Sequence, residues 1–188
     1  MKFKFRGFSY NSPLILSFAF ISLAVLLLSF LTGGRSTRLL FCVYRSSLGN
    51  LLTYPRFILH VLGHSSWEHY ISNMMILLVI GPAMEEKYGS GMLFWGFIIT
   101  AFITGLCQWI FFPSSAVLGA SGIVFMLIVL SSLSGIRDGA IPLTLLFVLI
   151  LYLGKELLNG LTLNDSVSQL SHIIGGICGA VFGLLIRR

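Results

Sequence analysis

The chain has 188 residues, 56% of them hydrophobic and only 10% charged, with a mean hydropathy of +0.96. That is too apolar and too charge-poor for a protein that must cover itself with water, so a soluble domain is excluded and an integral membrane protein is expected. The net charge of +6 does not point to nucleic acid, because the twelve Lys and Arg residues are scattered among hydrophobic runs rather than gathered on one face with interleaved aromatics.

A spanning helix needs about 20 mostly apolar residues, so a chain of this length with short connections holds roughly six, as one domain over 1–188. The first apolar run, 13–31, follows Lys2, Lys4 and Arg6. It exceeds a signal-peptide core and no small-x-small cleavage site follows, so it reads as a span. The connection from Gly33 to His64 is long yet half apolar, as in Leu39-Leu40-Phe41-Cys42-Val43-Tyr44, which suits the membrane interface. Further spans are expected at 67–84, 91–112, 121–134, 140–158 and 168–186, each bounded by Gly, Pro, Ser or charge. Basic residues at both ends, including Arg187 and Arg188, place both termini in the cytoplasm by the positive-inside rule. Arg35, Arg38, Arg45 and Arg56 in the first connection run against that bias. The turns at Glu85-Glu86-Lys87 and Arg137-Asp138 are then cytoplasmic, and 33–64, 113–120 and 159–167 face outside. Cys42, Cys107 and Cys178 are odd in number, and two lie inside apolar segments, so they read as small packing residues.

The fourth span departs from a plain bundle. About fourteen residues from Ser121 give roughly 20 Å of helix, too short for a hydrocarbon core of about 30 Å. If its inner end reaches the cytoplasmic face, Ser121 is submerged and the segment 113–120 dips into the membrane. Non-helical backbone at that depth must be buried in protein or line a wet cavity, so a pocket is expected at Ser121.

Polar side chains within spans are costly and mark sites by default. His69 and Asn73, four apart, share one face of the second span near its outer end. His172 lies at a similar depth in the sixth, and Ser121 at the start of the fourth. Such a set can perform acyl transfer. His172 is the candidate base for the Ser121 hydroxyl, while His69, Asn73 and the Ser121 N–H can hold the oxyanion. Gly119 and its neighbours give a flexible approach to the nucleophile. Gly175 and Gly179 share the His172 face and allow another helix to come close.

Each feature also has a plainer reading. Ser121 alone is a helix start, His172 a satisfied buried histidine, and His69 with Asn73 an interhelical hydrogen-bond pair. Arg56 alone is a solvated loop charge. Four histidines, His60, His64, His69 and His172, could ligate a metal or haem, although no H-E-x-x-H is present. A transporter would rest on Glu85, Glu86 and Asp138. These readings do not predict one shared depth, and acyl transfer does.

The arrangement resembles the rhomboid intramembrane serine proteases over nearly the whole chain. HSSWEHYISN, with His64, His69 and Asn73, is similar to the family's second-span signature. GASG around Ser121 is similar to its nucleophile motif, and HIIGGICG from His172 resembles its sixth-span H-x-x-G-x-x-x-G. Glu85 with Gly89-Ser90-Gly91 looks like the turn ending the second span, and Arg56 with His60 like the Arg and His of the embedded first loop. The resemblance implies an all-α membrane fold, a six-helix bundle with a short submerged fourth helix, and a Ser121–His172 dyad without a third carboxylate. It also implies oxyanion roles for His69, Asn73 and the Ser121 backbone, and a substrate gate at the fifth span and the 159–167 loop. Asp165, in that loop, reads as solvated. The implied enzyme needs no metal or organic cofactor and meets transmembrane protein substrates in the lipid bilayer. The expected location is a bacterial inner membrane. Pro55 stands where the family often has Trp, and Phe125 where a Tyr commonly packs on the catalytic His. Loss of Ser121 or His172 would leave a binding-only relative, and the chain retains both.

Overall fold

The computed structural model describes residues 9–135, 143, 146, 147, 150 and 166–186. Its elements are α1 (Pro13–Leu31), α2 (Arg35–Leu40), β1 (Val43–Tyr44) and α3 (Thr53–Leu59), which runs into a 3-10 turn at His60–Leu62. These are followed by α4 (Trp67–Tyr88), α5 (Ser90–Phe111), β2 (Ala116–Val117), α6 (Ser121–Ser134) and α7 (Ser166–Leu185). The helices at 13–31 and 121–134 have the expected bounds. The helix expected at 67–84 continues to Tyr88, those at 91–112 and 168–186 are shifted by one or two residues, and the fifth span at 140–158 lies mostly outside the described residues. Arg137, Asp138, Asp165 and most of the 159–167 loop lie outside them as well.

Among the described residues, α1 and α5 are long and apolar enough to cross a membrane, with hydropathies of 2.7 and 1.7 over their best windows. At 22 residues α4 has the length, about 33 Å, but His69, Asn73 and the Glu85-Glu86-Lys87 end make it more polar.

The helix ends follow from local chemistry. Pro13 opens α1 at the position where its missing N–H costs nothing. The next donors, Leu14 N and Ile15 N, are taken by the Glu85 carboxylate of α4 at 2.8 and 3.0 Å. A residue from another helix thus caps α1, and its negative charge sits at the positive end of the helix dipole. The Ser66 hydroxyl caps α4 by accepting the His69 N–H. Gly89, at φ +81°, ends α4 and starts α5, a one-residue turn that an L side chain rarely allows.

The centre of the bundle is α6, whose residues Gly122 to Leu130 are all buried. A helix that is apolar on every face belongs inside others. Its closest neighbour is α7. A Cβ at Gly175 would overlap the Gly122 carbonyl, and one at Gly179 would overlap the Met126 carbonyl, so backbone meets backbone at two successive turns. On the far side α1 lies against α4, with Ile15 over Gly81 and the Tyr70 hydroxyl donating to the Ala19 carbonyl at 3.1 Å.

The 33–64 connection contains two short helices, a 3-10 turn and a strand, and β1 pairs antiparallel with β2 in the register Val43 to Val117 and Tyr44 to Ala116. This pairing ties the first connection to the segment that leads into α6.

Candidate active site

Ser121 is the first residue of α6 and is half-buried. The residue before the helix is Ala120, so no side chain caps it, and its first N–H groups keep their hydrogen-bonding capacity. Gly119 has φ +123°, and its N–H donates to the His60 carbonyl at 2.9 Å. A Cβ there would come within 2.7 Å of His69 Nε2. Glycine is therefore required twice, by the backbone angle and by the imidazole lying against it.

His69 belongs to the first turn of α4. Its Nδ1 is 3.1 Å from the Ser65 hydroxyl, and its carbonyl accepts from Asn73 Nδ2 at 2.9 Å. That bond uses one hydrogen of the buried Asn73 amide and leaves the second for another acceptor. His64 packs edge-on against the rings of His69 and Tyr70, at centroid distances of 5.1 and 5.5 Å. Its Nδ1–H donates to the Leu62 carbonyl at 3.2 Å. Burial, with the neighbouring His69 as the lesser cause, pushes His64 down to about 4, so it is neutral near pH 7.

His172 comes from α7 and is buried. Its ring stacks on Phe125 with centroids 5.0 Å apart and planes 15° apart. Phe125 is four residues from Ser121, so both lie on one face of α6 and His172 lies beside that face. The same level is set by Gly122, where a Cβ would be 3.3 Å from the Ser171 carbonyl. One end of α6 therefore gathers a hydroxyl, uncapped helix N–H groups and two imidazoles, with an amide one turn along α4. The chemistry available to such a set is nucleophilic attack with base assistance and stabilisation of a developing oxyanion.

The residues expected to support the site lie further out. Arg56 is 2% exposed, which removes the solvated-charge reading. Its Nε–H donates to the Leu39 carbonyl at 2.9 Å and its guanidinium lies 4.6 Å from the centre of the Tyr44 ring, so it pins α2 and β1 to α3. Pro55 falls in the first turn of α3, where no helical N–H bond is lost. Glu85 is at the opposite end of α4 from His69, capping α1 and accepting the Ser90 hydroxyl at 2.6 Å. His60, pushed down to about 4 by burial, donates from Nδ1 to the Arg56 carbonyl at 3.2 Å.

Sequence reasoning passed over Thr104 and Gln108 of α5, both buried. The Thr104 hydroxyl is 3.4 Å from His60 Nε2, and Gln108 Nε2 donates to the Ser115 hydroxyl at 3.0 Å, just before β2. The signal was available, because Thr100, Thr104 and Gln108 form a polar stripe at helical spacing in an apolar span, the same anomaly that singles out His69 and Asn73.

The Rhomboid domain family model matches residues 52–188. Rhomboid protease GlpG of Serratia proteamaculans (strain 568) is 28% identical over 196 residues, covering 98% of this chain and 69% of the relative. Rhomboid-like protein 11, chloroplastic, of Arabidopsis thaliana is 33% identical over 85 residues, 45% of this chain and 30% of that protein. Rhomboid-related protein 1 of Caenorhabditis elegans is 27% identical over 140 residues, 70% of this chain and 39% of the relative. The chain thus spans less than half the length of the plant and nematode relatives. With a family match over most of its length and long apolar helices, it belongs to the rhomboid family of membrane-embedded proteins.

Proposed function

We propose that the chain is an intramembrane serine endopeptidase that cuts transmembrane segments of other proteins near their outer ends, with Ser121 as nucleophile and His172 as base. The observation that carries this reading is the stacking of His172 on Phe125, one helical turn from Ser121 at the uncapped start of a buried helix. His172 takes the Ser121 proton as the hydroxyl oxygen attacks the scissile carbonyl carbon. The resulting oxyanion is held by the Ser121 N–H, His69 and Asn73. The His172 imidazolium then protonates the leaving amine, and water attacks the acyl-enzyme by the reverse route. No third carboxylate takes part, and the face of Phe125 holds the imidazole without the hydroxyl a tyrosine would add.

The reading includes six spans, with both termini in the cytoplasm of a bacterial inner membrane. Fourteen residues make α6 about 21 Å long against a core of about 30 Å. With Ser134 at the cytoplasmic side, Ser121 sits below the outer surface, where a substrate helix must unwind to reach it. The test is cleavage of a model transmembrane substrate in liposomes by the purified protein, beside Ser121→Ala and His172→Ala, together with labelling by a fluorophosphonate. Cutting and labelling that disappear in both folded variants support the dyad. A wild type that binds the substrate, cuts nothing and takes up no probe is instead a binding-only rhomboid-like protein.

A further inference from the structure

Two consecutive serines precede α4 and both hold His69. Ser66 accepts its backbone N–H at 3.1 Å, and the Ser65 hydroxyl lies 3.1 Å from its ring Nδ1. The ring is thus tethered on one side, and Nε2 faces the Gly119 backbone. We propose that Ser65 is a positioning residue that donates its hydroxyl hydrogen to His69 Nδ1 and so fixes the tautomer that carries its proton on Nε2, turned toward the reacting centre. This rests on the oxyanion role proposed for His69.

A stabiliser of an oxyanion must present an N–H, and His69 has two ways to do so at Nε2: a second proton, or a single proton on the right nitrogen. His172 has to become positive during the reaction, and both imidazoles lie at the same end of α6, so a second positive charge on His69 works against the base. The neutral form is left, and the partner of Nδ1 selects its tautomer. A carbonyl at Nδ1 can only accept, which forces the hydrogen onto Nδ1. That is the situation of His60 against the Arg56 carbonyl and of His64 against the Leu62 carbonyl. His69 differs in having a hydroxyl there, which can donate as well as accept. The exposed loop position of Ser65 also keeps the hydroxyl free of other helix duties, because Ser66 is the residue that caps α4.

The test is ¹⁵N NMR of histidine-labelled protein in detergent, with the His69 ring signals assigned against His69→Gln, and turnover of a transmembrane substrate by the same preparations. The expected result is a neutral His69 protonated on Nε2 in wild type and in Ser65→Thr, which keeps a hydroxyl. Ser65→Ala should populate both tautomers and lose about tenfold in kcat, with KM changed by less than about twofold. A wild-type His69 protonated on Nδ1 overturns the proposal, as does a Ser65→Ala variant with wild-type tautomer and kcat. If the wild type cuts no substrate, the protease reading fails by itself, while the NMR spectra still decide where the His69 proton resides.

Discussion

Glu85 offers the most direct test of how the bundle is held together, because its carboxylate joins two spans through hydrogen bonds to backbone. It accepts Leu14 N at 2.8 Å, Ile15 N at 3.0 Å and the Ser90 hydroxyl at 2.6 Å, and the residue is 5% exposed. Glu85→Gln keeps one acceptor oxygen but turns an NH2 group toward a backbone donor. It loses one charge-assisted bond and the favourable charge at the α1 dipole, for a cost of about 2 kcal/mol. Glu85→Ala loses both backbone bonds and leaves two donors without a protein acceptor, for a cost of about 4 kcal/mol. Reversible unfolding in mixed micelles, followed by circular dichroism, measures both. Equal costs for the two variants, or costs below about 0.5 kcal/mol, would refute the cap. Activity per folded molecule should hold in both, since Glu85 lies sixteen residues along α4 from His69, about 24 Å away.

Gly119→Ala should lower Tm, because an L side chain is strained at φ +123°, and should lose at least about a hundredfold in cleavage rate per folded molecule, because the new methyl group occupies the space against His69 Nε2; a rate per folded molecule near wild type would separate that contact from the chemistry. Gly179→Leu should force α7 off the Met126 carbonyl, lowering both stability and cutting, read as a fall in Tm and in turnover together. Stability should also depend on pH with a definite sign. His60 and His64 are held near 4 when folded against 6.5 when unfolded, so below about 6.5 the unfolded chain binds more protons than the folded one. Their contribution is complete above about 6.5 and is lost as the pH falls toward 4. A Tm in detergent that rises as the pH is lowered from about 6.5 to about 4 would contradict the neutral burial of both imidazoles.

The sequence made legible what a membrane makes costly. Hydropathy located α1 and α6 to the residue, and the intramembrane polar residues led to Ser121, His69 and His172, which the described structure brings to one end of α6, and to Asn73 one turn along α4. The glycines that let α7 approach were readable because close helix packing needs small residues at regular spacing. The interior of the 33–64 connection was not. A two-residue strand has no periodicity to detect, and its partner lies more than seventy residues further along the chain. Arg56 was ambiguous for a related reason: a single charge in a loop looks solvated until the carbonyl and ring that receive it are known. The trans cap by Glu85 joins residues about seventy apart, which no local rule anticipates.

The unreadable part bears directly on the chemistry proposed. An oxyanion at the start of α6 needs the first helical N–H groups free, yet a helix end without a side-chain cap is less firmly fixed. In this chain Ala120 provides no cap, and orientation comes from upstream backbone instead. Gly119 N–H is held by the His60 carbonyl and β2 by β1, while His60 is held by the Arg56 carbonyl and contacts Thr104. Arg56 in turn reaches Leu39 and Tyr44. The first connection thus does for the start of α6 what a capping side chain does elsewhere, without occupying the donors. Changes at Arg56 or along β1 should therefore reach Ser121 through the Gly119 backbone and appear in kcat, although neither residue touches the reacting atoms.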